Sequence, residues 1–460
     1  MLTTDYLIIG SGAIGMGFAD QMLTETDAEM IIVDRHHLPG GHWNDAYSFV
    51  RLHQPAAFYG VGSRPLGTDR IDETGFNKGY YELPSGADVL SYYGRLMQER
   101  FLPSGRIKYF PMSEYLGDGR IRSLLSGAVQ EVTFRKRLVT TGFDSQVPST
   151  HTPSFDVAEG VRLVTPNALP AAAARHEHFV ILGGGKTAMD VGVWLLQMGA
   201  HPGSIRWIIP RDSWLMNREV TQPGETFFLR SGGGQLKQFE AAAEAASLGD
   251  VFERLEQTRQ ILRVDRTARP SKFSGATISE HEIGMLAAIE DVVRKGYVRR
   301  IGRDAIVLDG GEVPAHAASL YIDCTGRAFT SRPTVPVFDG SRINVQLVRS
   351  GLTCLSAAFV AHVEVAYQDD AMKNDLCSPI LLPSTDVDLL RWMLADLRNA
   401  RRWGADKDLR RWVQECRLSG AAVGSAHENA RGAEADRIRA GMREFRPKAE
   451  ANLARLLDGL

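Results

Sequence analysis

Two glycine-rich runs hold the residue types and spacings in this sequence that suit cofactor chemistry. The first is Gly10-Ser11-Gly12-Ala13-Ile14-Gly15, a complete G-x-G-x-x-G, and the second is Gly183-Gly184-Gly185-Lys186-Thr187-Ala188, a G-x-G-x-x-A. In such a run the first glycine permits a tight turn, the second lets backbone approach a pyrophosphate, and the third lets helix and strand pack closely. Beyond the first run, Asp34 supplies a carboxylate at the spacing needed to accept from both hydroxyls of a ribose. Beyond the second, Pro210-Arg211-Asp212 mixes two chemistries. A guanidinium pairs bidentately with phosphate, whereas a carboxylate repels it. Arg211 therefore favours NADPH with its 2′-phosphate, and Asp212 leaves open a ribose of NADH. Lys186 either reaches phosphate or is an ordinary lysine at a helix start. Two dinucleotide sites on one chain point to electron transfer between two cofactors, since a single-cofactor dehydrogenase needs only one.

These residues need strands and helices to hold them. Leu7-Ile8-Ile9 is a short apolar run that stops at Gly10, and a helix opening near Ala13 would turn its free N–H groups and positive dipole end toward phosphates. Met30-Ile31-Ile32-Val33 reads as a second buried strand ending at Asp34. Residues 178–182, 189–198 and 205–209 repeat the pattern of strand, helix and strand around the second run.

At 460 residues the chain is too long for one ordinary core. Its hydrophobic share of 44% and charged share of 23% are those of a globular protein. A formal net charge of −2 gives no general reason to bind nucleic acid or an anionic membrane, and no run approaches the roughly 20 apolar residues of a membrane span. Nothing ahead of the opening strand reads as a targeting segment, so a cytoplasmic location is expected. Cys324, Cys354, Cys377 and Cys416 are scattered, which excludes the paired thiols of a flavin disulfide reductase and offers no zinc framework. His281 is followed four residues later by Met285 instead of a second ligand, and no metal is expected.

After Asp34 come Pro39-Gly40-Gly41-His42-Trp43, residues 50–55 and Phe58-Tyr59-Gly60. The G-x-G-x-x-G, the acid ending the next strand and this Gly-Gly-x-Trp resemble the opening of the flavin-containing and Baeyer–Villiger monooxygenases, over about the first sixty residues. The resemblance implies that the first half binds FAD, with Gly41, His42 and Trp43 against it, leaving the second half for NADPH. It further implies dioxygen as the acceptor, a C4a-(hydro)peroxyflavin, and transfer of oxygen to a small soluble substrate. His53 and Gln54 would lie near the flavin ring with Tyr59 behind them, although His53 reads more readily as a structural histidine. Residues 320–327 are similar to the (A/D)-x-T-G segment by which such flavoproteins return to the flavin domain, with Gly326 allowing close approach to the cofactor. Ser356 suits the N-cap of an apolar helix, whose counterpart in those proteins points at the pyrimidine end of the flavin. Residues 160–178 lack the family's F-x-G-x-x-x-H pattern, which marks a divergent member and leaves open an FAD- and NAD(P)H-dependent reductase or dehydrogenase without oxygen insertion.

The expected fold is α/β, with two Rossmann-like dinucleotide-binding domains and a helical C-terminal extension. The FAD domain would take residues 1–170 and 320–385, and the NAD(P)H domain residues 171–319. Within the latter, residues 221–295 read as an insertion, with a helical run over 238–262 and a helix over 283–293, covering the active site or making a subunit contact. Between residues 120 and 164, short alternating stretches such as 130–134 and 138–140 suggest a β-meander. Residues 386–460 form helices whose arginines face solvent, with a lid or a homodimer contact as the alternative.

Overall fold

The computed structural model describes residues 2–141, 146–316, 318–327, 333–419 and 430–459. Leu2–Ile9 lies between Met30–Val33 and Val129–Thr140, with Ile107–Phe110 beyond the former and Arg342–Asn344 beyond the latter, all parallel. A second parallel sheet runs Arg162–Val164, Ser319–Asp323, His178–Leu182, Ile205–Ile208, Asp291–Val293. In each sheet the strand that feeds a glycine run has neighbours on both sides. The crevice beyond its carboxyl end is therefore a topological switch point, the usual place for a ligand in an open α/β sheet. The chain is thus α/β with two Rossmann-like units, as its sequence predicts.

Burial explains the strand sequences. Leu7, Ile8 and all four residues of Met30–Val33 are buried, so these strands read as continuous apolar runs and not as alternation. The helix Ala13–Glu25 is covered in turn by the helix Thr353–Ala366, and a Cβ added at Gly17 would stand 3.3 Å from that of Ala357.

The domain limits move outward from those expected. Arg162–Val164 and Ser319–Asp323 both hydrogen-bond into the second sheet, so the chain crosses between units before residue 162 and after residue 323. The expected helix over 283–293 is two elements: a helix Glu280–Leu286, then Asp291–Val293 as the edge strand of the second sheet. The stretches 130–134 and 138–140 belong to one strand, Val129–Thr140, which pairs antiparallel with Arg120–Ser123 at one end.

The run 238–262 falls into parts of two helices, Phe228–Glu244 and Leu248–Gln257, and the short strand Ile261–Leu262. The insertion and the C-terminal helices share a core, in which Trp214 and Phe252 meet Leu390, Trp392 and Leu453. The long helix Ala433–Leu457 lies along Phe228–Glu244, with Gly441 close to Leu236. The insertion is covered, at least in part, by its own chain. Among the described residues no helix is long and apolar enough to cross a membrane.

Candidate functional site

At the first glycine run the helix Ala13–Glu25 starts directly after Gly12, with no side chain capping its N-terminus. A Cβ on Gly15 would lie 1.9 Å from the Gly10 carbonyl oxygen, a close approach that only glycine allows. Gly41, at φ +58°, sits against this turn, where a Cβ would be 2.9 Å from the Cα of Gly12. The Gly40 N–H donates to the Ser11 carbonyl at 2.9 Å. His42 stacks on Trp43, whose indole N–H donates to the Tyr59 hydroxyl at 2.7 Å. The fold thus brings Gly10, Gly12, Ala13, Gly15, Gly41, His42 and Trp43 together.

Asp34 ends the second strand of this unit and is buried. Its Oδ2 accepts from the Ser11 N–H and hydroxyl, and its Oδ1 from the His36 N–H at 2.8 Å and Nδ1 at 2.9 Å. Burial pushes this carboxyl up, but the bonds from His36 and Ser11 outweigh it and hold the group below its ordinary range. The Ser11 hydroxyl also lies 3.3 Å from the Tyr109 hydroxyl.

The second glycine run has the same backbone and different side chains. The helix Lys186–Gln197 follows Gly185, again without a side-chain cap, and Thr187 lies in its first turn. A Cβ on Gly185 would meet nothing within 4 Å among the described residues. At the tip of the neighbouring strand, Arg211 donates to the Ser384 carbonyl at 3.1 Å, while its buried Nε and the buried Ser213 hydroxyl have no partner among the described residues. Lys272 stands opposite Ser213 in the strand register. Burial lowers its ammonium pKa, and the nearby Arg211 and Arg327 lower it further. Asp212 accepts from Arg294 through bonds of 2.9 and 3.2 Å.

Lys186 does not extend along its glycine run. It pairs with Asp190, one turn along the helix, and with Glu282 at 3.3 Å. Glu282 also takes Arg218 at 2.5 Å, and these two side chains are 2% and 1% exposed. Burial pushes Glu282 up, yet Lys186 and Arg218 overcome it and hold the carboxyl at about 2. Asp190 accepts from the Tyr47 hydroxyl at 2.7 Å, and Arg218 donates to the His53 carbonyl at 3.2 Å, so the cluster bolts the two units together. It lines a cleft of about 230 Å³ beside Phe49, Phe76 and Trp194. Burial, then the charge of Lys186, lowers the His53 imidazole to about 4, so it is neutral at pH 7.

Gln54 donates to the Gly351 carbonyl at 2.9 Å. Ser356 is not an N-cap: Leu352 takes that place, and Ser356, one turn inside the helix, accepts from the Val348 N–H at 3.1 Å. The turn at Gly351, φ +69°, starts the helix four residues earlier than the serine suggests. Gly326 packs on His151 of the other inter-unit crossing, and Cys324 is buried against Gly183. Sequence reasoning missed Glu282, Asp190, Tyr47 and His36. Two signals were available: Ser279-x-x-Glu282 is a capping box, observed here, and Asp190 lies at i+4 from Lys186.

No protein-family model matches the sequence. The chain is 48% identical over 422 residues to the uncharacterized proteins Rv2000 of Mycobacterium tuberculosis and Mb2023 of Mycobacterium bovis, covering 91% of this chain and 78% of theirs. It belongs to the family of these mycobacterial proteins. Among solved structures it is similar to cyclohexanone monooxygenase (13% identity, 81% of this chain and 88% of that one, TM-score 0.48). It is also similar to the bacillithiol disulfide reductase of Staphylococcus aureus (12%, 80% and 100%, 0.48) and a flavin-containing monooxygenase from Stenotrophomonas maltophilia (16%, 79% and 98%, 0.40). At such scores the fold is carried by the sheet order and glycine turns described above.

Proposed function

We propose that the chain is an FAD-dependent oxidoreductase that uses NADPH and acts as a monooxygenase on a small soluble substrate, with dioxygen as co-substrate. The observation that carries this reading is the pair of glycine turns without side-chain caps at two switch points, one followed by a buried carboxylate and the other by a guanidinium whose Nε has no partner among the described residues. A carboxylate suits the ribose of FAD, while Arg211, Lys272 and the Ser213 hydroxyl suit a 2′-phosphate.

The residues fit both groups. Gly10, Gly12, Ala13 and Gly15 would hold the pyrophosphate of FAD, Asp34 its ribose, and Gly41, His42 and Trp43 the approach to its ring. Gly183, Gly185 and Thr187 would hold the pyrophosphate of NADPH. FAD, when bound, supplies the redox chemistry, and the chain's part is binding, orientation and exclusion of water. His53, kept neutral by its surroundings, and Gln54 would be the uncharged polar groups on the flavin side. A reading without oxygen insertion draws on the missing F-x-G-x-x-x-H pattern in residues 160–178.

The test is a purified preparation assayed with both nicotinamides. Stoichiometric FAD, preferential oxidation of NADPH and an oxygenated product matching the oxygen consumed are expected. Consumption of oxygen only as hydrogen peroxide across a panel of amines, sulfides and ketones would leave the reductase reading, and absence of bound flavin would overturn both.

A further inference from the structure

His36 lies between two carboxylates. Its Nδ1 is 2.9 Å from Asp34 Oδ1, and its Nε2 is 2.8 Å from Asp45 Oδ2. A carboxylate only accepts, so both ring nitrogens must donate, and only the imidazolium carries two N–H groups. In either neutral tautomer one nitrogen lone pair would face a carboxylate oxygen at hydrogen-bond distance. Asp45 closes the short helix Gly41–Asp45 that carries Trp43, and its carbonyl is held by Ser149 of the crossing between units at 2.7 Å and by Asn167 of the second unit at 3.0 Å. The backbone of His36 is fixed as well, its N–H donating to Asp34 and its carbonyl accepting from Met112 at 3.0 Å.

We infer that His36 is a positioning residue for the first dinucleotide site, holding Asp34 in the orientation that receives a ribose and tying it to the Gly-Gly-x-Trp turn. This rests on the reading of that site as the FAD site. With four donors on the Asp34 carboxylate, its usual acceptor positions are filled. The Ser11 hydroxyl is the one donor that can rotate away, toward Tyr109, opening a single position on Oδ2 for a ribose hydroxyl while His36 keeps Oδ1. Sequence spacing suggests bonds to both hydroxyls, and the geometry leaves room for one.

The charge balance points the same way. With His36 protonated, the group of Asp34, His36 and Asp45 carries a net −1, and without the proton −2, beside a turn that is to accept an anionic pyrophosphate. His42 and Tyr109 are the other titratable groups nearby, and burial keeps the Tyr109 phenol neutral by raising it to about 12. The bond to Asp34 is the main cause, with Asp45 assisting and burial opposing, that raises the His36 imidazole to about 9. FAD affinity is therefore constant below that value and falls as pH rises through it.

The test uses the full chain loaded with FAD, reading free-flavin fluorescence after dilution between about pH 6 and about pH 10. For the wild type the Kd is expected to be level to about pH 8 and to rise roughly tenfold by about pH 10. H36Q is expected to bind roughly tenfold more weakly at pH 7, the range for a lost charged hydrogen bond, and to show no such rise. D45N, which leaves the imidazole one carboxylate, is expected to begin its rise at lower pH, and it carries the test if H36Q does not fold. Wild-type affinity and profile in H36Q, or in a folded D45N, would overturn the role of His36. If Asp34→Ala then still releases FAD, the site assignment survives that result. A wild-type chain that takes up no FAD would overturn the site assignment and this inference with it.

Discussion

The two Rossmann-like units share a backbone device and differ in what surrounds it. Both open a helix on a glycine with no side-chain cap, at the end of a central parallel strand. In the first, the strand tip presents a carboxylate clasped by His36 and Ser11; in the second, it presents a guanidinium with an unused donor beside Lys272. In the proposed reading each glycine turn would cradle a pyrophosphate of either dinucleotide, and the charge one strand later would set which one binds. The charged side chain inside the second turn, Lys186, is spent on joining the units through Asp190 and Glu282 and leaves ligand recognition to others.

The difference can be broken first at Glu282. Replacing it with alanine leaves Lys186 with Asp190 and removes the carboxylate that the buried Arg218 pairs with. The expected loss is about 3–5 kcal/mol of unfolding free energy, read from urea denaturation. A loss below about 1 kcal/mol, the range of an exposed pair, would show that the cluster is not the bolt between units. Next in size is Arg211→Ala, expected to lower kcat/KM for NADPH roughly 10- to 100-fold, as for a lost charged hydrogen bond. Its effect on NADH should be small, so equal losses for both nicotinamides would place the phosphate elsewhere.

The units should also lose stability at opposite ends of the pH scale. Glu282 sits at about 2 in the folded chain against 4.5 for a free glutamate, so its contribution is complete above about pH 5 and drains away as pH falls toward 2. His36 sits at about 9 against 6.5, so its contribution is complete below about pH 6 and is lost as pH rises through 9. Thermal melts of E282Q and H36Q should flatten the acid and alkaline edges respectively, and flattening of the same edge by both would contradict the assignment. The smallest expected effect is Trp43→Phe, which keeps the ring and removes the N–H bond to Tyr59, costing about 1 kcal/mol of stability.

Much of this was legible in the sequence. Each glycine run sits between apolar strands long enough to be identified by composition, and the closing acid and arginine follow at short range. What could not be read depends on contacts far apart in the chain. Glu282 meets Lys186 across 96 positions, and His36 acquires meaning only when the Gly41–Asp45 turn folds back onto it. The run 283–293 misleads because a short apolar stretch looks the same in a buried helix and in an edge strand. Ser356 misleads because a serine at a plausible N-cap gives way to a turn at Gly351 that begins the helix sooner.

The most direct test of the division between units is a crossed titration of wild type, D34A and R211A with FAD and with NADPH, each ligand alone, by isothermal calorimetry. D34A is expected to lose FAD while binding NADPH as the wild type does, and R211A to lose affinity for NADPH while keeping FAD. Loss of both ligands in the same folded variant, or full FAD occupancy in D34A, would contradict the assignment of one dinucleotide to each unit.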